Sequence, residues 1–180
     1  VNDYEQDIND YLKKNDISNC RFQCVDIEKD ISPLRQQFDR ITSFEVIEHL
    51  HDENSVSIYR ELLKDDGLLA ISVPNKWWIF ETHGAKLPLL PWNRVPFFSW
   101  LPRFLHERWA NARIYTKGRI AQLLEGNGFE VLHSSYITAP MDVLKEGRLK
   151  RFLVKHFFKN DTTKFPFKST AILVIAGKRK

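Results

Sequence analysis

The chain of 180 residues lacks an apolar run of about 18 residues, which is the shortest that reads as a membrane-spanning helix. It also lacks a recognisable signal peptide, internal repeats and a low-complexity linker. Cysteine is scarce, since only Cys20 and Cys24 are present, and without a second closely spaced pair a zinc knuckle is not expected. On one strand the two would lie roughly 13 Å apart, too far for a disulfide. We therefore expect reduced, buried thiols in a cytoplasmic protein.

Glycine is also sparse, and the only close pair among the seven is Gly126 with Gly128. Hydrophobic residues make up 43% of the chain, which allows one packed core, and we predict a single domain over 1–180. The net charge is +4, and much of the basic excess lies after residue 147. Such a basic face can meet nucleic acid, an anionic membrane or a phosphorylated substrate, or can simply be solvated.

Hydrophobic periodicity predicts an alternation of helices and strands, which favours an α/β fold with a largely parallel sheet. The predicted helices are 7–15, 53–64, 116–125 and 143–158, and the predicted strands are 20–25, 39–44, 68–73, 129–138 and 170–177. The run Asp65-Asp66-Gly67 is expected to stop the second helix.

Residues 75–113 interrupt this alternation and contain all five tryptophans. A long, aromatic and irregular segment inside a compact domain is usually a functional insertion. It can be a lid over a ligand or a surface for a lipid-like substrate, although core packing explains the same aromatic residues.

Four segments follow one another along the chain: CRFQCVDIEKD at 20–30, FDRITSFEVIEHL at 38–50, LLKDDGLLAISVPN at 62–75 and YTKGRIAQLLEGNGFEVL at 115–132. Taken in this order, they resemble class I S-adenosylmethionine (SAM)-dependent methyltransferases. The resemblance implies a Rossmann-like α/β sheet, with 75–113 inserted after its fifth strand. It also implies SAM as the cofactor, bound at the carboxyl ends of the strands.

The resemblance assigns cofactor contacts to five residues. Asp26 is expected to accept a hydrogen bond from the adenine amino group, and Ile27 to pack on the ring. Phe44 and Glu45 are expected to line the pocket near the methionine portion. Asp3, or alternatively Glu5, is the candidate for the ribose hydroxyls, although the acid can equally lie upstream of Val1. Asp26 can equally be a turn or helix-capping aspartate.

The sequence departs from the family because it has no first strand followed by a GxGxG-type turn. We therefore expect an incomplete sheet, a further N-terminal segment in the natural protein, and little activity from this fragment alone. The upstream coding sequence tests this expectation.

His49 and His83 are the candidate general bases, because an unperturbed histidine titrates near neutral pH. A run similar to Glu45-x-x-Glu48-His49 is associated with a divalent metal in ubiquinone-biosynthesis O-methyltransferases. The alternative is that His49 only caps or packs near a helix start, and we assign no metal ligand. Glu81 beside His83 suits an acceptor pocket.

The predicted function is methyl transfer from SAM to a small-molecule or lipid-linked acceptor, with oxygen as the expected target. The alternative is a non-catalytic, methyltransferase-like binding module. A nucleic-acid partner is not expected, because there is no NPPY-like motif. The basic helix at 143–158 would suit peripheral contact with a membrane.

Overall fold

The computed structural model describes residues 2–26, 31–86 and 96–179, without the side chains of Asn2 and Asp3. The chain divides into two compact units, Val1–Pro33 and Leu34–Lys180. No helix in the described part of the chain is both long and apolar enough to cross a membrane.

The first unit contains helix α1, Asn2–Lys14, which begins five residues before the predicted helix at 7–15. Residues 20–26 return along it: the Asn9 Nδ2 donates to the carbonyl of Phe22 at 3.1 Å, and a carboxylate oxygen of Glu5 accepts from the Cys24 amide at 3.1 Å. These side-chain bonds take the place of a strand ladder, so the predicted strand at 20–25 is wrong. Both cysteines are free, as predicted, but exposed, so their predicted burial is wrong.

The second unit contains a five-stranded sheet and four helices among its described residues. The strands are β1 Phe38–Phe44, β2 Leu63–Pro74, β3 Phe129–Thr138, β4 Thr162–Thr163 and β5 Ser169–Lys178. The helices are α2 Ser57–Leu62, α3 Arg103–Trp109, α4 Lys117–Gly126 and α5 Arg148–Phe157. Four of these strands and three of the helices match predicted elements within a few residues.

The strand order is β1-β2-β5-β3-β4. Strands β1 and β2 pair in parallel, whereas β5 is antiparallel to both β2 and β3, and β4 is antiparallel to β3. Strands β1, β2 and β3 therefore run in one direction, and their carboxyl ends meet at one edge. The predicted largely parallel sheet is corrected to a mixed one, because β5 is inserted antiparallel at its centre.

The two central strands carry the core. Leu69, Ile71 and Val73 of β2 are fully buried, as are Ile172 and Val174 of β5. Adjacent as well as alternate side chains are buried in the second half of β2, where residues 68–73 form a continuous apolar run. This pattern is typical of a strand that is covered on both faces. Helix α4 contributes the buried Ile120 and Leu124 to the same core.

Two boundaries differ from the prediction. Residues 53–56 form a 3-10 turn before the short α2, and β2 begins immediately afterwards at Leu63. Asp65-Asp66-Gly67 therefore lies inside β2 and does not stop a helix. Within the predicted insertion at 75–113, the described residues Arg103–Trp109 form α3.

Candidate functional site

The first carboxylate of the site belongs to Glu45, directly after the last residue of β1. Its backbone has a φ of 54°, in the left-handed region that non-glycine residues seldom adopt. Its amide donates to the carbonyl of Ser72 in β2 at 3.1 Å, and its Oε1 accepts from the Ser72 hydroxyl at 2.7 Å. The neighbouring strand thus fixes both the turn and the side chain of Glu45.

The second carboxylate belongs to Glu48, in the 3-10 turn Ile47–His49. Its side chain has no exposed surface, and neither carboxylate oxygen has a hydrogen-bond partner among the described residues. Arg113 holds the turn from outside, since its guanidinium donates to the carbonyls of Leu50 at 2.6 Å and His51 at 2.8 Å. A buried carboxylate without partners is costly, so its retention here points to a use.

His83 reaches the two carboxylates from the insertion. Its amide donates to the Glu81 Oε1 at 3.0 Å, and its carbonyl accepts from the Asn111 side chain at 3.0 Å. The other Glu81 oxygen lies 2.7 Å from the His106 Nε2, and both side chains of this pair are buried. The buried Glu81–His106 pair therefore anchors the loop that presents the His83 ring.

The imidazole of His83 lies between the carboxylates. Its Nε2 is 3.5 Å from the Glu48 Oε1 and 3.7 Å from the Glu45 Oε2. The His49 ring meets it edge to face, with ring centroids 5.2 Å apart. Glu48, His49 and His83 each offer a ligand atom within 4.8 Å of the others, a spacing that can accommodate a metal ion.

Burial sets the protonation of this cluster. It raises the pKa of Glu48 to about 7, with a smaller contribution from the Glu45 charge. Burial lowers the pKa of His83 below its ordinary 6.5, an effect that the Glu45 charge opposes and the neighbouring His49 reinforces. At neutral pH His83 is therefore an uncharged imidazole that can accept a proton.

An open cavity of about 420 Å³ adjoins the cluster, and Glu48, His49, His51 and Arg113 are among its lining residues. Pockets for small molecules typically have about 300–1,000 Å³, so this one can admit an acceptor. Most of its wall is polar; His49 lines it directly, and His83 is in ring contact with His49.

The structure brings four of the predicted site residues to the carboxyl edge of the sheet. Phe44 ends β1 and Glu45 directly follows it, His83 lies beside Glu45, and the His49 ring contacts that of His83. Their roles remain predictions. Asp26 is exposed and belongs to the first unit, while Ile27 and the Asp3 side chain lie outside the described residues.

Sequence reasoning missed three residues that support the site: Ser72, His106 and Arg113. Ser72 reads as one more residue of a buried strand, and His106 pairs with a glutamate 25 positions away. Neither has a local signal. Glu81 is expected to suit an acceptor pocket. In the structure only 1% of its surface is exposed, and its side chain pairs with His106.

The profile of a methyltransferase domain family matches residues 5–134 of this chain. A search of curated proteins found no significant match. The fold does match solved structures, and across several of them the chain spans between 36% and 80% of the other protein's length.

Three of these structures illustrate the likeness. An S-adenosylmethionine-dependent methyltransferase from Mesorhizobium loti has a TM-score of 0.54 and 14% identity, over 88% of this chain and 69% of its own. The YcgJ protein of Bacillus subtilis has a TM-score of 0.55 and 13% identity, over 100% and 80%. The [4+2]-cyclase SpnF has a TM-score of 0.56 and 13% identity, over 94% and 60%.

At these identities the solved structures establish the Rossmann-like fold alone, and the cyclase is a reminder that one fold hosts different chemistries. The family match covers most of the chain and is the stronger finding. On that ground, the chain belongs to the methyltransferase domain family.

Proposed function

We propose that the protein transfers a methyl group from SAM to an oxygen of a small-molecule or lipid-linked acceptor. The observation that carries the proposal is the His83 imidazole, held 3.5 Å and 3.7 Å from two carboxylates at the carboxyl ends of the parallel strands β1 and β2. Open α/β sheets bind ligands at this edge.

The cofactor is SAM, on the evidence of the family match and of the SAM-dependent neighbour. The residues at the strand ends fit it. The Phe44 side chain is 55% exposed beyond β1 and offers a face for packing. The Glu45 side chain is 38% exposed, and its Oε2 is available to face a cationic group.

When bound, SAM supplies a methyl group already activated by its sulfonium, so the protein mainly positions the reactants and removes a proton. Thr82 Oγ1 lies 3.1 Å from the Nδ1 of His83. If Nδ1–H donates to this hydroxyl, the Nε2 keeps its lone pair for the acceptor proton. With SAM bound, Nε2 would take and hold the proton that the acceptor oxygen loses as it receives the methyl group.

The carboxylates support this proton transfer. Once His83 is protonated, the Glu45 charge 3.7 Å away stabilises the imidazolium. Glu48, half protonated near pH 7, limits the negative charge around the neutral imidazole.

An exposed aromatic surface supports a lipid-linked acceptor and peripheral membrane contact. Phe104 is 73% exposed and Phe97 54%, and the Phe97 ring meets that of Trp100 with centroids 5.1 Å apart. Exposed clusters of large aromatic side chains mark contacts with partners, ligands or membranes. These residues lie in the insertion that also carries His83.

The test has two stages. Isothermal titration of the full-length protein with SAM is expected to give a micromolar dissociation constant. Release of S-adenosylhomocysteine is then measured with catechol, thiophenol and aniline as oxygen, sulfur and nitrogen acceptors. Turnover with catechol alone supports the proposal. Preference for thiophenol or aniline contradicts the oxygen assignment.

Absence of SAM binding would instead support the binding module. The family match does not favour that alternative. An alkyl-chain catechol in detergent, compared with catechol itself, tests the lipid-linked acceptor, since a lipid-adapted pocket should lower its KM.

A further inference from the structure

A second cavity lies beside the sheet's outer strands, and its lining is basic. It has about 810 Å³ and is bordered by β3, β4, the end of α5 and the loop that follows. Its basic lining residues are Lys117, His133, His156, Lys159, Lys164 and Lys168. No aspartate or glutamate is among them, although Asp161 lies in the same loop.

The cavity lysines lack the carboxylate partners that three lysines elsewhere have. Lys64, Lys150 and Lys178 form ion pairs with Asp39, Glu146 and Asp65, respectively. Among the described residues, no cavity lysine forms an ion pair, and Lys159 and Lys164 make no hydrogen bond either. Unneutralised cations around a concave surface concentrate a positive potential there.

The cavity also has an apolar wall. Phe157 and Phe165 line it, and the Lys168 Nζ lies 5.6 Å and 5.3 Å from their ring centroids. Both rings are about half exposed. Hydroxyl groups complete the lining, and that of Thr138 is buried without a hydrogen-bond partner among the described residues. The site therefore offers cations, an unused polar group and exposed ring faces together.

We propose that this basic cavity binds an organic phosphate, with the phosphate between Lys159, Lys164 and Lys168 and the organic part on Phe157 and Phe165. Lysine binds phosphate as a point charge. Several lysines together match the two negative charges of a phosphate better than the single charge of a carboxylate ligand. The cavity is much larger than one inorganic phosphate and lies within the size range of organic-ligand pockets. The phosphate can belong to a soluble ester or to a phospholipid headgroup.

The inference is independent of methyl transfer. The basic cavity shares no lining residue with the cavity beside His49.

Direct binding, without SAM, tests the proposal. 1-Naphthyl phosphate is titrated calorimetrically into the protein at about 0.1 M salt, where charges further apart than about 10 Å are screened. In a parallel arm, the protein is sedimented with vesicles of phosphatidylcholine, with and without phosphatidic acid. Binding to naphthyl phosphate identifies a soluble ester, and binding only to the acidic vesicles identifies a lipid headgroup.

The variant is the double substitution Lys159→Gln with Lys164→Gln, which touches two exposed side chains. Its matched control is Lys13→Gln with Lys14→Gln, which removes the same charge from exposed lysines of α1. We expect the first to weaken binding by about tenfold or more and the control by less than about twofold. An equal loss in both, or no binding in either arm, overturns the proposal. Failure of SAM binding would leave these results unaffected.

Discussion

The two cavities of the second unit use opposite electrostatic designs. Beside His83, ionisable groups are drawn out of water, and burial moves the pKa of Glu48 up and that of His83 down. Around Lys159 and Lys164 the charges stay exposed and unpaired. Proton transfer needs a group poised between its two charge states, whereas anion binding needs a fixed charge. The cluster around His83 is therefore the region suited to proton transfer, and the basic cavity is the region suited to anion binding.

Replacement of His83 is expected to have the largest effect on activity, because this residue is the proposed proton acceptor. The substitution His83→Gln keeps a polar side chain but removes the proton acceptor. We expect kcat with an oxygen acceptor to fall by about 10²–10⁴-fold, the usual contribution of a general base. SAM affinity should change little, and the two measurements together separate proton transfer from cofactor binding.

The outcome that opposes this prediction is a fall in SAM affinity with unchanged kcat. Dialysis of the wild-type protein against EDTA is the matching control for a metal role. If chelation reproduces the loss and added Zn²⁺ or Mg²⁺ restores the rate, the cluster acts through a metal ion.

The pH dependence of stability tests the protonation of Glu48 in the cluster around His83. Its folded pKa of about 7 lies above the unfolded value of 4.5, so its stabilising contribution is complete below pH 4.5 and is lost as pH rises through 7. Glu48→Gln removes this dependence. The free energy of unfolding of the wild type relative to this variant should therefore fall by about 1–3 kcal/mol between those limits.

Urea denaturation of both proteins at pH 5 and pH 8 measures this difference. Activity should instead fall as the pH is lowered. His83 becomes protonated and loses its free lone pair as the pH falls below 6.5 and through its lowered pKa. A constant difference in stability between the two proteins at both pH values would refute the assigned protonation of Glu48.

The smallest expected effect concerns a turn that supports neither cavity directly. Gly128 follows α4 with a φ of 80°, and a Cβ there would lie 2.8 Å from the Arg60 Nε, whose group donates to the Gly128 carbonyl. We expect Gly128→Ala to cost about 1–2 kcal/mol of stability. Gly126 is the matched control: an added Cβ meets nothing within 4 Å, and Gly126→Ala should be neutral or stabilising by up to about 1 kcal/mol. Thermal unfolding of both compares them, and similar effects would disprove the strain argument.

Hydrophobic pattern was enough for the buried parts of the central strands, because residues 68–73 of β2 and most of β5 are continuous apolar runs, whereas the charged start of β2 at 64–66 was missed. The stretch at 20–25 misled for the opposite reason. The stretch has strand-forming residues, but side chains of α1 form hydrogen bonds with its backbone. Such tertiary contacts leave no periodic pattern in the sequence. Propensity alone could not settle it.

The site was predictable to the extent that it follows strand ends. Glu45 directly follows β1, so its position at the sheet edge could be inferred from the strand alone. The partners of His83 could not, because its ring meets Glu48 only through the loop that Glu81 and His106 anchor across 25 residues. The basic cavity likewise joins Lys117 to lysines more than 40 positions later.

The left-handed backbone of Glu45 has a consequence for anyone who evolves this protein. Glycine or asparagine would relax a φ of 54°, by on the order of 1 kcal/mol, yet neither supplies a carboxylate beside His83. A screen that rewards heat resistance alone will therefore tend to discard Glu45 early. Libraries should hold this position constant, or select for turnover in the same round.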